Sequence, residues 1–178
     1  MLPTRVIEVG VPDASELLGT LKTVHFCDAY QAGLTNPALS IQDIYRALFE
    51  NSSRWVGALM KCRGIIAKAV GLKHDANGDF ADASTSYNGA RYQIGQRVGF
   101  FTVRSIESAE MIVGDDDKHL DFRISIFKSS LNGVESVTVS SAVEIHNMLG
   151  RIYMLVIKPF HRIIVKSMVQ RAVSAGRL

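Results

Sequence analysis

His119, Asp121, Arg123, Glu144 and His146 are the residues whose types and spacing could do chemistry together. Within each stretch they recur at two-residue steps, the period of one face of a β-strand. Two imidazoles facing each other across a strand pair, with carboxylates two residues along, would resemble a two-His-one-carboxylate metal site. A structural network competes with that reading, because Arg123 can neutralise Asp121 and Glu144 diagonally, as cross-strand charges usually do. A surface that recognises a partner is the third reading. The network is favoured, and no metal is expected. Two other groupings are weaker. Asp115-Asp116-Asp117 lacks the Gly and the terminal Glu of an EF-hand loop. Ser140-Ser141 has Glu144 and His146 nearby in sequence but no nucleophile elbow around it, so a hydrolase triad is not supported.

A hairpin must position the cluster. Residues 118–128 alternate as a strand, Asn132-Gly133 is the strongest short hairpin signal, and residues 134–146 return. A two-residue turn there pairs Ile126 with Val139, Ile124 with Ser141, Phe122 with Val143 and Leu120 with Ile145; a four-residue loop gives the same pairs. One face is then almost wholly apolar, as a half-buried antiparallel sheet requires. The other sets His119 opposite His146, Asp121 opposite Glu144 and Arg123 opposite Ala142, towards solvent.

That sheet needs a helix to cover it, and the last stretch supplies one. Leu149, Ile152, Tyr153, Val156, Ile157, Phe160, Ile163, Ile164 and Met168 recur at three- and four-residue steps. Asn147 is a good N-cap, Gly176 can close the helix in the left-handed conformation, and Pro159 predicts a kink in one continuous helix. Upstream, residues 1–20 look like a lead-in and residues 23–30 a first strand. Ser40 with Asp43 forms a capping box, with Leu39 and Ile44 as its staple, for a short helix buried on Ile41, Ile44, Tyr45, Leu48 and Phe49. A second short helix follows Asn51-Ser52-Ser53, carrying Trp55, Leu59, Cys62, Ile66 and Ala69, so the two form a V. Residues 73–96, rich in Asp, Asn, Gly and Ser, are expected to be a mobile loop. Residues 97–106 and 109–113 read as strands, with a turn at 114–117.

At 178 residues the chain is most simply one domain, 1–178. A formal net charge of +3 is too mild to argue for nucleic acid, and no nucleic-acid motif accompanies it. Cys27 and Cys62 have no metal-ligand spacing and sit in apolar-looking elements, which fits buried free thiols in a reducing compartment. No stretch has the roughly 18 apolar residues of a membrane span, and Arg5 and Glu8 interrupt any signal-peptide core. A cytoplasmic location is expected. The basic face of the final helix, with Arg151, Lys158, Arg162 and Lys166, could lie on an acidic membrane; a solvated face is the simpler reading.

Strand, two short helices, a run of antiparallel strands and a long amphipathic helix: this is the order of the α+β helix-grip fold, a curved antiparallel sheet around its C-terminal helix. Such a pair of layers can enclose an apolar cavity. The segments His25-Phe-Cys-Asp-Ala-Tyr-Gln31, Arg54-Trp-Val-Gly-Ala-Leu-Met-Lys-Cys-Arg63 with Gly71-Leu72, Gly114-Asp-Asp-Asp-Lys-His-Leu-Asp-Phe-Arg123 and His146-Asn-Met-Leu-Gly-Arg-Ile-Tyr153 with Lys158-Pro-Phe-His-Arg162 resemble the bacterial domain of unknown function 2867. The resemblance covers most of residues 20–173. It implies the START-like (SRPBCC) superfamily and a hydrophobic-ligand pocket, without an activity, catalytic residue or cofactor. The expected function is therefore binding of a small hydrophobic molecule, lipid-like, aromatic or quinone-like, against Tyr30, Trp55, Phe101, Phe122, Tyr153 and Phe160. The alternatives are an enzyme of cyclase or hydratase type, for which Asp28 and Tyr153 are the candidate groups, and an interaction domain with a filled core. A homodimer is left open.

Overall fold

The computed structural model describes residues 5–49, 91–98 and 101–178. The second short helix, its V with the first, Trp55, Cys62 and residues 73–90 of the expected loop lie outside these. The described elements are β1 (Ile7–Val9), a 3-10 turn (Leu17–Thr20), β2 (Phe26–Gly33), α1 (Ile41–Phe49), β3 (Arg97–Val98), β4 (Phe101–Ile106), β5 (Glu110–Asp116), β6 (Leu120–Leu131), β7 (Val134–Ile145) and α2 (Met148–Ser174). They make one seven-stranded antiparallel sheet in the order β1-β2-β7-β6-β5-β4-β3, with α2 packed on β2 and β7 and α1 on β5 and β6. This is the α+β architecture that the order of elements implies.

The central hairpin has the register read from the sequence. Ile126 pairs with Val139, Ile124 with Ser141, Phe122 with Val143 and Leu120 with Ile145. Leu131 pairs with Val134, leaving Asn132 and Gly133 as a two-residue turn with φ of 52° and 75°. Two successive positive φ values make the type I′ turn, whose twist matches that of paired strands. Ile126, Met111, Val139 and Tyr30 form one buried row across four strands on the helix side. α1 buries Ile41, Ile44, Tyr45 and Leu48 on that core. Its start is closed as expected: the Asp43 amide donates to Ser40 Oγ, and the Ser40 hydroxyl bonds the Asp43 carboxylate. That hydroxyl bond holds the Asp43 carboxyl below its ordinary value.

α2 runs unbroken through Pro159. Asn147 caps it by accepting from the Gly150 amide, and Gly176, at φ 62°, ends it. The amides of Gly176 and Arg177 reach back to the carbonyls of Val173 and Ala172, the paired bonds of a Schellman close. Its buried line differs from the expected stripe. Gly150, Met154, Ile157, Val165, Val169 and Ala172 face the sheet, whereas Ile152, Val156, Phe160 and Ile163 face away. The helix carries more apolar residues than one face can hold, so spacing alone could not fix its phase.

Other expectations change as well. Ile7–Val9 is an edge strand on β2 rather than a lead-in. Residues 97–98 and 101–106 are two antiparallel strands, with Val98 opposite Phe101, where the sequence suggests one. β5 continues through Gly114, Asp115 and Asp116, where the composition suggests a turn. Acidic residues stay in the ladder there because Arg104 and Arg123 reach Asp116 at 2.9 and 2.6 Å. Cys27 is exposed, on the outer face, not buried. Tyr92, at the end of the expected mobile loop, is buried edge-on against Tyr45, and its amide donates to the Gln42 side chain.

Candidate functional site

Alternation along β2 turns Phe26, Asp28, Tyr30 and Ala32 towards α2, since their partners on β7 are Val143, Ser141, Val139 and Val137. Three of those β2 side chains are apolar or aromatic. Asp28 is a carboxylate whose side chain is 1% exposed. His161, one helical turn beyond Ile157 on the sheet-facing line, places Nδ1 3.2 Å from Asp28 Oδ2. Its ring stands edge-on to Phe26, with centroids 6.0 Å apart, and Lys158 Nζ lies 5.2 Å from the same ring. The other carboxylate oxygen, Asp28 Oδ1, is buried without a hydrogen-bond partner, and so is the hydroxyl of its strand neighbour Ser141. Buried polar atoms without partners are costly and uncommon. These two share one face, at the seam between the main core and the cluster of Phe26, Val143 and Met154.

Tyr30 sits one step along β2 from Asp28. Burial, then the charges of Asp28 and Glu8, push its hydroxyl up to about 12 against an opposing pull from Arg162. It stays a hydrogen-bond donor throughout the neutral range. The seam can therefore fix an imidazole with a carboxylate, accept hydrogen bonds at Asp28 and exchange them at Ser141.

The expected ligand-lining residues divide. Phe122 and Tyr153 both pack, half-buried, on the Phe26 cluster. Phe101 meets Phe122 edge-on at 5.8 Å and Phe49 at 5.7 Å, extending an aromatic wall. Tyr30 is buried in the main core. Phe160 is corrected: at 51% exposed it lies on the outward side of α2. Among the described residues a depression of about 370 Å³ opens on the outer face, between Ile7, Gln31, Ser129, Leu131, Val134 and Ser136, not between sheet and helix.

The polar cluster is on the outer face, as its register requires, with Asp121 opposite Glu144 and Arg123 opposite Ala142. It is not simply in solvent. The segment leading to β2 crosses this face, burying Leu17 and Leu21 on Ile112 and Ala142. Glu110 anchors it from below, accepting from the Ser15 and Ser125 hydroxyls and from the Glu16 amide at 2.9 Å. The two imidazoles have different partners: the His119 ring meets the Asn147 side chain, while His146 Nε2 is 3.3 Å from Asp121 Oδ2. Asp121, Glu144 and His146 offer donor atoms within 4.8 Å of one another, a spacing that a divalent ion could bridge. Glu144 also accepts from the Lys22 amide, a structural use of the same carboxylate.

Arg123 serves a different partner from the expected one. Its chain passes over Gly114, where a Cβ would come within 2.9 Å of it, and its guanidinium bonds Asp116 and the carbonyls of Asp115 and Phe122. Burial pushes the Asp116 carboxyl up, but the bonds and charges of Arg123 and Arg104 outweigh it and leave it below its ordinary 3.8. A carboxyl depressed on folding stabilises the fold above its unfolded pKa, and that contribution is lost as pH falls through the folded value. Arg123→Met is therefore expected to lower the melting temperature most near neutrality, with the deficit narrowing below about pH 4. Melting curves from pH 7 to pH 2 check this; a deficit unchanged across the range would assign Arg123 to packing alone.

Sequence reasoning nominates Asp28 but misses His161, which in the sequence is only an interruption of an apolar run. Its signal is phase: Gly150, the residue small enough to start α2 against the sheet, lies three turns before it on the same line. A family profile described as Protein of unknown function (DUF2867) matches residues 20–168. No curated protein and no solved structure matches the chain.

Proposed function

We propose that this chain, which belongs to the DUF2867 family of proteins of unknown function, binds a small molecule with an apolar body and a hydrogen-bond-donating head. The body lies along the aromatic wall of Phe101, Phe122 and Tyr153, and the head enters the seam between β2, β7 and α2. A single observation carries the reading: Asp28 Oδ1 and Ser141 Oγ are buried side by side on the helix-facing side with nothing to bond. A hydroxyl, phenol or ammonium would satisfy both, and such groups occur on lipid-like, aromatic and reduced quinone-like molecules. The START-like grouping of helix-grip proteins, with its hydrophobic-ligand pockets, agrees with this reading.

Native mass spectrometry of the protein as purified, followed by solvent extraction, tests it. The expected result is a bound mass that extraction identifies as an apolar molecule with a donor group, and its absence from Asp28→Leu protein. A wild type that carries no such mass and does not bind the apolar dye Nile red would overturn the proposal in favour of a filled-core interaction domain. A second reading, an enzyme of cyclase or hydratase type, is favoured by the Asp28–His161 contact, because a carboxylate that orients an imidazole prepares it as a general base. Conversion of the extracted molecule by wild-type protein, lost in His161→Gln with binding retained, would distinguish catalysis from binding.

A further inference from the structure

The outward face of α2 is apolar where a helix on a sheet is ordinarily polar. Met148, Ile152, Leu155, Val156, Phe160 and Ile163 are exposed, Leu155 at 77% and Met148 at 66%. At 100° per residue they form one stripe opposite the buried line, about 22 Å long at 1.5 Å per residue. Contiguous exposed apolar patches of this kind mark interaction sites. The charges around the stripe have one sign. The 27 residues of α2 contain no Asp or Glu, while Arg151, Lys158, Arg162, Lys166 and Arg171 are all cationic. The whole chain carries a formal net charge of only +3, so this helix holds a disproportionate share of its positive surface. Arg151 and Arg162 flank one edge of the stripe and Lys166 lies in line with its end, while Lys158, farther round on the same flank, turns its amine to the Phe26 ring. Long basic side chains at the edge of an apolar face can reach lipid headgroups while the face enters the acyl boundary.

We propose that the outward face of α2 docks the protein on an anionic membrane surface. A surface suits this stripe better than a protein partner does, because α2 offers no acidic group with which to set a register of paired charges. The helix lies on the bilayer and does not cross it: no described helix is long and apolar enough to span a membrane. Docking needs no unfolding, since Met154, Ile157, Val165, Val169 and Ala172 keep α2 on the sheet from the opposite side. This inference is independent of the ligand seam.

Sedimentation of the full chain with vesicles tests it. Vesicles of phosphatidylcholine with about a quarter phosphatidylserine should bind the protein at least tenfold more tightly than phosphatidylcholine alone, with affinity falling as salt rises. Leu155→Ser/Phe160→Ser should abolish binding without changing the melting temperature, because both side chains are exposed. Arg151→Gln/Arg162→Gln should remove the preference for anionic lipid. Analytical ultracentrifugation of the same proteins separates the rivals. A dimer that the Leu155→Ser/Phe160→Ser change dissociates, without vesicle binding, would replace the membrane by a second copy of this chain. A monomer that binds neither vesicle type would overturn the proposal.

Discussion

Gly150→Ala is expected to lower the melting temperature by roughly 6–12 °C, about 3 kcal/mol for a domain of this size. A Cβ at this position would lie 2.3 Å from the His119 carbonyl oxygen and 3.0 Å from Ile145 Cγ2. The first obstacle is backbone just beyond the end of the β6–β7 ladder, where the His146 amide already donates to that carbonyl, so it cannot swing aside. Relief requires lifting the first turn of α2. That displaces Met154 from Phe26 and Val143, and it loosens Asn147, which caps the helix and bonds the Lys118 carbonyl at 3.1 Å. Gly114→Ala should be comparably damaging, since its Cβ would meet the Phe122 carbonyl oxygen at 2.1 Å and the Arg123 chain at 2.9 Å. Gly10→Ala, with nothing within 4 Å, is the control and should change the melt little. Thermal melts of the three proteins decide it; equal small losses at all three positions would show that the α2 start is not packed against the β6–β7 end.

What the sequence made legible was whatever is local or has period two. The β6–β7 register followed from alternation and from Asn132-Gly133, because a one-residue slip would turn Phe122, Ile124 and Ile126 outward and the core would not form. The Ser40 box and the Asn147 cap were legible because capping is a contact between neighbours in sequence. The phase of α2 was not. Apolar residues occur around its whole circumference, and only the sheet decides that Gly150, Met154 and Ile157 turn inward while Leu155 and Phe160 do not. The cover of the outer face is not legible for a related reason. The segment that covers it, with Leu17 and Leu21, comes from more than 90 residues upstream of Ser125, and no periodicity links the two. Its anchor, Glu110, stands in a sequence of exposed-looking character and becomes buried only through Ser15, Glu16 and Ser125. The Asp28–His161 contact joins residues 133 positions apart and was equally out of reach.

Asp28→Leu/Ser141→Ala is expected to raise or preserve stability while removing the ligand. Buried carboxylates are costly unless their oxygens are bonded, and Asp28 has one oxygen on His161 and one on nothing. Replacing a whole buried ion pair by apolar residues is neutral or stabilising by about 1–4 kcal/mol, whereas breaking one strands the partner. Here the partner left behind is His161, whose side chain is 20% exposed and keeps access to water. Removing the unpartnered Ser141 hydroxyl leaves no donor behind and costs only the contacts of a single atom. Val139, Val143 and Met154 provide an apolar neighbourhood for the methyl groups of the introduced leucine. Binding moves the other way. A head group bonded to a buried carboxylate gains roughly 1.5–3 kcal/mol from that bond, so its loss should weaken affinity about ten- to a hundredfold. The extracted ligand, titrated back into stripped protein, reads the affinity, and guanidinium melts read the stability. The two single substitutions separate the contributions, with Asp28→Leu carrying most of both effects. Groups kept only for structure would give the opposite pattern: a double variant less stable by more than about 2 kcal/mol that still held the ligand. A seam built to receive a polar head should instead be more stable without its polar groups and unable to bind.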